Sequence, residues 1–210
     1  MTVTTLTVVS KRKAIVLDID GVILDWFSGF KAWMTSKGHK VVGGPATSWN
    51  MTETFPKLSW VEINIQIDEF SKTMEFGKLR EVDDAQFGVG ELRKAFPDWP
   101  VVAVTCSGTH PRTVAHRCWN VMHYNLSEIY TLPLGAAKTE TLRRWAPGSI
   151  IVEDNLKHCE DAVVNVAYRG ILLDRAYNRS DGTGPALHRI NGWHEISAAI
   201  DDIKRSLEAA

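Results

Sequence analysis

Cysteine is scarce in this chain. Three residues, Cys106, Cys118 and Cys159, stand in 210, with no CxxC pair and no Cys/His metal spacing. An odd, sparse set excludes a disulfide-stapled secreted domain and fits a reducing interior. Long apolar runs are missing too, so no stretch is read as spanning a bilayer. The first ten residues, MTVTTLTVVS, lack the charged start and long apolar centre of a signal peptide, and a cytoplasmic location is expected. Neither sign of charge dominates: 24 Lys and Arg face 25 Asp and Glu, a formal net charge of −1. Composition therefore carries no strong nucleic-acid signal. The short clusters Lys11-Arg12-Lys13 and Arg143-Arg144 read as solvated surface. Internal repeats and low-complexity segments are absent as well.

What is present is an alternation of strand and helix. Short apolar runs at residues 14–19 (AIVLDI), 100–105 (PVVAVT), 128–132 (EIYTL), 149–152 (SIIV) and 170–173 (GILL) read as buried parallel strands, several of them running into acids. Helical patterns fill residues 84–95, 110–123, 138–145, 156–166 and 193–207, and Pro111 suits a helix N-terminus. This order predicts an α/β fold, a Rossmann-like parallel sheet covered on both faces. Residues 22–83 break the alternation with two helical stripes. One carries Trp26, Phe27, Phe30, Trp33 and Met34; the other carries Trp60, Ile63, Ile67, Phe70 and Met74. A Gly/Pro-rich turn, VVGGPATSWN, separates them. The expected organisation is an α/β core of residues 1–21 and 84–210 with a helical cap of residues 22–83 inserted after the first strand.

In an open parallel sheet, ligands sit beyond the carboxyl ends of the strands. Asp18 and Asp20 follow the first strand, and Thr105 and Ser107 the second. Lys138 follows the third, Glu153 and Asp154 the fourth, and Asp174 the fifth. Acids at neighbouring strand ends repel one another, and a hard divalent cation with oxygen ligands resolves that repulsion, which favours Mg²⁺. Lys138 and the Thr105 hydroxyl suit a phosphate held against such a metal. An Asp nucleophile attacks phosphorus to give an acyl-phosphate, and a second carboxylate can protonate the leaving oxygen and then activate water. Gly21 suits the sharp turn out of the strand.

These residues resemble the haloacid dehalogenase superfamily of phosphatases. Asp18-Ile19-Asp20-Gly21-Val22 is similar to its first motif and Val102-Ala103-Val104-Thr105 to its second. Lys138 stands in the place of the third, and Ile151-Val152-Glu153-Asp154 is similar to the acidic fourth. A narrower likeness is to the 5′(3′)-deoxyribonucleotidases. It rests on DIDGVILDWFSGF, on Leu172-Leu173-Asp174-Arg175-Ala176-Tyr177-Asn178-Arg179, which resembles their DRPYN segment, and on Ile190-Asn191-Gly192-Trp193-His194-Glu195-Ile196. The resemblance implies Asp18 as nucleophile and metal ligand, and Asp20 as general acid/base with its backbone carbonyl on the metal. It implies Thr105, with backbone N–H groups at Cys106 and Ser107, as phosphoryl contacts. Lys138 neutralises charge, Asp154 is a Mg²⁺ ligand, and Glu153 lies beside it or holds a metal-bound water. The sequence departs from the nucleotidases at Cys106-Ser107-Gly108, at Gly77, where one of two adjacent aromatics is lost, and at Ala176. Those departures bear on base recognition rather than on the chemistry.

Plainer readings stand beside these. Aromatics at helical spacing in the cap are first of all core, whereas Trp49 and Phe76, at irregular or terminal positions, are candidates for stacking on substrate. His110 and His158 read as ordinary polar residues. Cys106 and Arg112 match the Cys-x5-Arg spacing of cysteine phosphatases, but that reading leaves the strand-end acids without a role. The expected activity is Mg²⁺-dependent hydrolysis of a small-molecule phosphomonoester, a 5′-nucleotide or deoxynucleotide by resemblance. The alternatives are the same chemistry on a nucleic-acid end or sugar phosphate, or a non-catalytic nucleotide-binding module. A homodimer stays open.

Overall fold

The computed structural model of the chain describes residues 11–44, 48–179 and 187–209. The reading of the first ten residues, and part of the Gly/Pro-rich turn, lie outside them. Among the described residues six strands form one parallel sheet: β1 (Ile15–Leu17), β2 (Val101–Thr105), β3 (Glu128–Thr131), β4 (Ile150–Glu153), β5 (Arg169–Leu173) and β6 (Leu187–Ile190). Their order is β3-β2-β1-β4-β5-β6, with Val16 opposite Val102 on one side and Ile151 on the other. The expected α/β class and Rossmann-like sheet are what the chain adopts. β6 was not anticipated from the sequence. It is an edge strand, and only its ends, Leu187 and Ile190, are buried, so it offers no apolar run.

The helices are α1 (Trp26–Ser36), α2 (Trp60–Ser71), α3 (Ala85–Ala95), α4 (Pro111–Val121), α5 (Thr139–Leu142), α6 (Leu156–Val166) and α7 (Ile196–Glu208). Strand residues alternate between two apolar layers, as a period of two dictates. Ile15, Leu17, Ala103, Val152 and Leu173 pack with α3, α7 and Trp193 on one face. Val16, Val102, Val104, Ile151 and Leu172 pack with Leu142, Trp145, Cys159 and Ala162 on the other. A third cluster lies in the helical segment after β1 and includes Phe30, Trp33, Met34, Phe55, Ile63, Phe70 and Phe76. Among the described residues, no helix is long and apolar enough to cross a membrane.

Several sequence expectations need correction. The helix expected over residues 138–145 is a single turn, Thr139–Leu142, so Lys138 caps a helix too short to have much dipole. Glu153 is the last residue of β4 rather than the first beyond it. Trp193–Glu195 is a 3₁₀ turn, and α7 begins only at Ile196. Met74 falls beyond the end of α2 and is exposed rather than on its buried stripe.

Candidate active site

The order 3-2-1-4-5-6 reverses at β1, and the crevice at such a switch point is where a doubly wound sheet binds ligands. β1 and β4 are hydrogen-bonded neighbours there, and the Asp18 N–H still donates to the Val152 carbonyl at 2.9 Å. Both strands thus deliver acids to one point. Ligand oxygens of Asp18, Glu153 and Asp154, all buried, lie within 4.8 Å of one another.

Local chemistry explains how the acids are held. After Asp20 the chain turns at Gly21, whose φ of +75° favours glycine. A Cβ there would stand 1.9 Å from Asp154 Oδ2. Asn155 caps α6, its side chain accepting from the His158 N–H at 3.2 Å, and so fixes the β4–α6 turn that carries Asp154. Asn178 donates to the carbonyls of Asp154 and Leu173 at 2.7 and 2.8 Å. Arg175 donates to the Gly21 carbonyl at 2.6 Å, and the Tyr177 hydroxyl donates to Asp154 Oδ2. The segment from Asp174 to Arg179 therefore scaffolds the acidic cluster.

Lys138 answers the acids. It is 4% exposed, with Nζ 2.8 Å from Asp18 Oδ1 and paired also with Glu153 Oε1. Burial pulls its ammonium down, but the Asp18 and Glu153 carboxylates outweigh burial and leave it above the ordinary lysine value. Burial raises the Glu153 carboxyl to about 7 against the pull of Lys138, and it also raises Asp154 well above the carboxylate range, helped by Asp18 and Glu153. The second oxygen of Glu153 accepts from the N–H groups of Asp154 and Asn155 at 3.1 Å each. Both Glu153 oxygens are thus engaged inside the protein. Asp154 Oδ1 is buried without a partner among the described residues. A buried carboxylate oxygen left open, in an all-oxygen donor set, fits a hard cation such as Mg²⁺.

At the end of β2, Thr105 Oγ1 and Ser107 Oγ are both buried with no hydrogen-bond partner among the described residues. Unspent buried hydroxyls are expensive and point to a ligand that uses them. Cys106 between them is no nucleophile. Its thiol donates to the Ala136 carbonyl at 3.2 Å, and burial pushes it up to about 12, far from a thiolate. Arg112 and His110 do not line the chamber; the His110 ring caps α4, accepting from the Arg112 N–H at 3.2 Å.

One chamber of about 220 Å³ collects Asp18, Asp20, Thr105, Cys106, Ser107, Lys138, Glu153 and Asp154 on its floor. Its upper wall is aromatic: Trp26, Phe27, Trp49, Trp60 and Phe76. Phe30, Trp33 and Phe70 are core, as their spacing suggested, but Trp60 is 40% exposed and faces the chamber instead. Asp174 is the strand-end acid the structure leaves out. It pairs with Arg179 and Arg189, each at 2.8 Å.

Four residues around the site escaped the sequence. Tyr177 and Asn178 lie in the segment that carried the nucleotidase likeness, though no role was assigned to them there. Arg117, on α4, is fully buried and reaches both oxygens of Asp20 through Nη2 at 2.7 and 2.6 Å. Burial raises Asp20 to about 6, with Arg117 pulling the other way. His158, read as ordinary, lines the chamber with a buried Nδ1, and burial lowers its ring to about 4.

The fold resembles that of solved haloacid dehalogenase-like hydrolases. No protein-family model and no curated protein matches the sequence. Solved structures do resemble it. CbbY from Rhodobacter sphaeroides in complex with phosphate superposes with a TM-score of 0.57 at 16% identity, over 90% of this chain and 99% of that one. A haloacid dehalogenase-like family hydrolase from Xanthomonas campestris gives 0.58 at 12%, over 96% and 100%. A HAD phosphatase from Thermococcus onnurineus gives 0.55 at 16%, over 89% and 96%. Identities this low speak for the fold alone.

Proposed function

We propose that the protein is a Mg²⁺-dependent phosphomonoester hydrolase working through an aspartyl-phosphate on Asp18, with a nucleoside or deoxynucleoside 5′-monophosphate as substrate. The observation that carries this reading is the pairing of buried acids and a buried lysine with two unspent hydroxyls, Thr105 Oγ1 and Ser107 Oγ, on one chamber floor. Residues 22–83 act as the cap over that floor.

In this reading Asp18, the backbone carbonyl of Asp20 and Asp154 hold Mg²⁺, with Glu153 behind them. The ion, when bound, offsets the negative charge of carboxylates and phosphate. Thr105 and Ser107 donate to phosphoryl oxygens, and Lys138 Nζ balances charge between Asp18 and the phosphate. An Asp18 oxygen attacks phosphorus, and the bond from phosphorus to the leaving oxygen breaks. Asp20 gives its proton to that oxygen. A water then attacks the phosphoryl group, losing its proton to Asp20, and the Asp18–phosphorus bond breaks to release inorganic phosphate.

The leaving group is argued from the upper wall. Among the described residues Lys138 is the chamber's one Lys or Arg, so the part of the substrate beyond the phosphate meets rings, not cations. A flat uncharged base suits rings, whereas a second phosphate finds no second Lys or Arg among the described lining residues. This supports a nucleoside monophosphate over a sugar bisphosphate, the class represented by the xylulose-(1,5)bisphosphate bound to a mutant of CbbY.

The test is phosphate release from ribo- and deoxynucleoside 5′-monophosphates, sugar mono- and bisphosphates and a 5′-phosphorylated oligonucleotide, with and without Mg²⁺. Nucleotides are expected to turn over fastest, and Asp18→Asn to lose at least about 10³-fold in kcat, in line with removal of a covalent nucleophile. Undiminished release by Asp18→Asn rules out the covalent route. Binding of nucleotide and Mg²⁺ without any release turns the reading to a non-catalytic module.

A further inference from the structure

Arg117 is an odd residue to bury. It is wholly enclosed, yet Nε and Nη1 find no acceptor among the described residues, and only Nη2 is used. A buried ion pair with donors left over is a poor source of stability, and an apolar side chain would fill the same space more cheaply. What the guanidinium does have is a position. Its carbon lies 4.1 Å from the centre of the Phe76 ring, itself buried in the helical segment. Its other side grips Asp20, whose side chain keeps 25% exposure and lines the chamber.

The neighbours of Arg117 on α4 explain how that position is kept. Thr113, Arg117 and Asn120 follow one another at helical spacing. Thr113 Oγ1 lies 3.0 Å from Ser71 Oγ, in a contact buried on both sides. Asn120 Nδ2 donates to the Phe76 carbonyl at 2.8 Å. His116, on the same face, sits so close to Gly77 that a Cβ there would stand 2.7 Å from its Nδ1. α4 thus fastens residues 71–77 on one side and reaches Asp20 on the other. Arg117 does not line the chamber, so it does not touch substrate.

We propose that Arg117 is a positioning residue: pinned against Phe76, it fixes the direction of the Asp20 carboxyl so that its proton meets the leaving oxygen. The inference rests on the phosphomonoesterase reading and on Asp20 as its acid/base. It requires nothing of Arg117 beyond its hydrogen bonds to Asp20 and its stacking on Phe76.

The experiment uses the full chain with Mg²⁺ and two esters that differ in their need for a proton. A nucleoside 5′-monophosphate expels an alkoxide and needs one; p-nitrophenyl phosphate expels a stabilised phenolate and does not. kcat/KM is the readout, because it covers only the steps through phosphoryl transfer to Asp18. Arg117→Met is expected to lose about 10- to 100-fold on the nucleotide, the lower part of what general acid catalysis contributes, and no more than about 3-fold on p-nitrophenyl phosphate. The double variant with Asp20→Asn is expected to be no slower on the nucleotide than Asp20→Asn alone, since one acts through the other. Arg117→Lys is expected to recover part of the loss.

Equal losses of Arg117→Met on both esters, or losses that multiply in the double variant, overturn the proposal. If Arg117→Met shows no cooperative melting transition, Arg117→Gln, which keeps a polar side chain in place, decides alone, and an Arg117→Gln enzyme without selectivity overturns it too. Failure of the underlying reading looks different: the wild type releases phosphate from neither ester, or Asp20→Asn shows no leaving-group selectivity.

Discussion

Acids end strands in two parts of this sheet, and they meet opposite surroundings. Asp174, past β5, sits between Arg179 and Arg189 with an ion pair to each at 2.8 Å. Burial works to raise its carboxyl, but the two arginines prevail and hold it below the ordinary carboxylate range. Asp18, Glu153 and Asp154, at the ends of β1 and β4, crowd together with Lys138 paired to the first two, and burial raises the Glu153 and Asp154 carboxyls. The first arrangement stabilises the fold without help. The second is a charge problem left open inside the protein, next to two hydroxyls also left open. Clusters of that kind persist where a ligand completes them. Strand-end position alone does not distinguish the two; the partners do.

The largest expected break in this contrast comes from one methyl group. In Gly21→Ala the new Cβ would fall 1.9 Å from Asp154 Oδ2, so the carboxylate must leave its place. A displacement of about 1 Å in a reacting constellation costs on the order of 10²-fold, and at least that loss in phosphate release is expected. Gly38→Ala is the control. Gly38 also has a positive φ, +82°, but nothing lies within 4 Å of its Cβ position. That variant incurs backbone strain of about 1–2 kcal/mol and keeps its activity. A fully active Gly21→Ala enzyme would show that the tight approach of Gly21 to Asp154 has no part in catalysis.

A smaller effect sharpens the comparison directly. Asp174→Asn strips a carboxylate from two arginines, and its melting temperature is expected to fall by about 2–4 °C with phosphate release unchanged. Asp154→Asn removes a charge from a crowd of like charges. In Mg²⁺-free buffer it is expected to melt no lower than the wild type, while losing activity and the stabilisation by Mg²⁺. Calorimetry of both variants checks this, and a Mg²⁺-free melting point that drops in Asp154→Asn and holds in Asp174→Asn reverses the assignment of the two strand ends.

The difference between these acids was only half legible beforehand. Buried parallel strands advertise themselves as apolar runs, so β1, β2, β4 and β5 could be read, with acids at the ends of β1, β4 and β5. The edge strand β6 could not, because Leu187-His188-Arg189-Ile190 buries only its ends. Nor could the neutralisation of Asp174, since one of its partners, Arg189, lies on that same unseen strand. Arg117 shows the same limit. A single arginine in a helix reads as solvent-facing, and only the packing of α4 against Phe76 and Asp20 turns it inward. Phe76 and Trp49 stood out by their terminal or irregular positions, and both line the chamber. Trp60 did not, because it lies on a helical stripe and faces the chamber all the same.

The smallest effect expected is a pH dependence in metal binding. Glu153 stands near 7 and Asp20 near 6, both raised by burial. A carboxyl whose folded pKa exceeds its unfolded value favours the fold while protonated. That contribution is complete below about pH 4, the ordinary carboxylate range, and is lost as the pH climbs through the folded values. His158, lowered to about 4, works the other way: it stays neutral in the fold and loses stability as pH falls below the ordinary histidine value. Asp174, lowered by its arginines, loses its contribution only in acid below the ordinary carboxylate range. The metal-free melting curve therefore sums opposed contributions, but the increment from Mg²⁺ isolates the acidic cluster, because a cation displaces protons from carboxylates it binds. At about 100 times its dissociation constant Mg²⁺ adds about 2.7 kcal/mol, and the apparent constant rises as the cluster takes up protons. The Mg²⁺-induced rise in melting temperature is expected to be larger at pH 7.5 than at pH 5.5, and absent in Asp154→Asn at both. An increment equal at the two pH values would place the ion away from the raised carboxyls at the ends of β1 and β4.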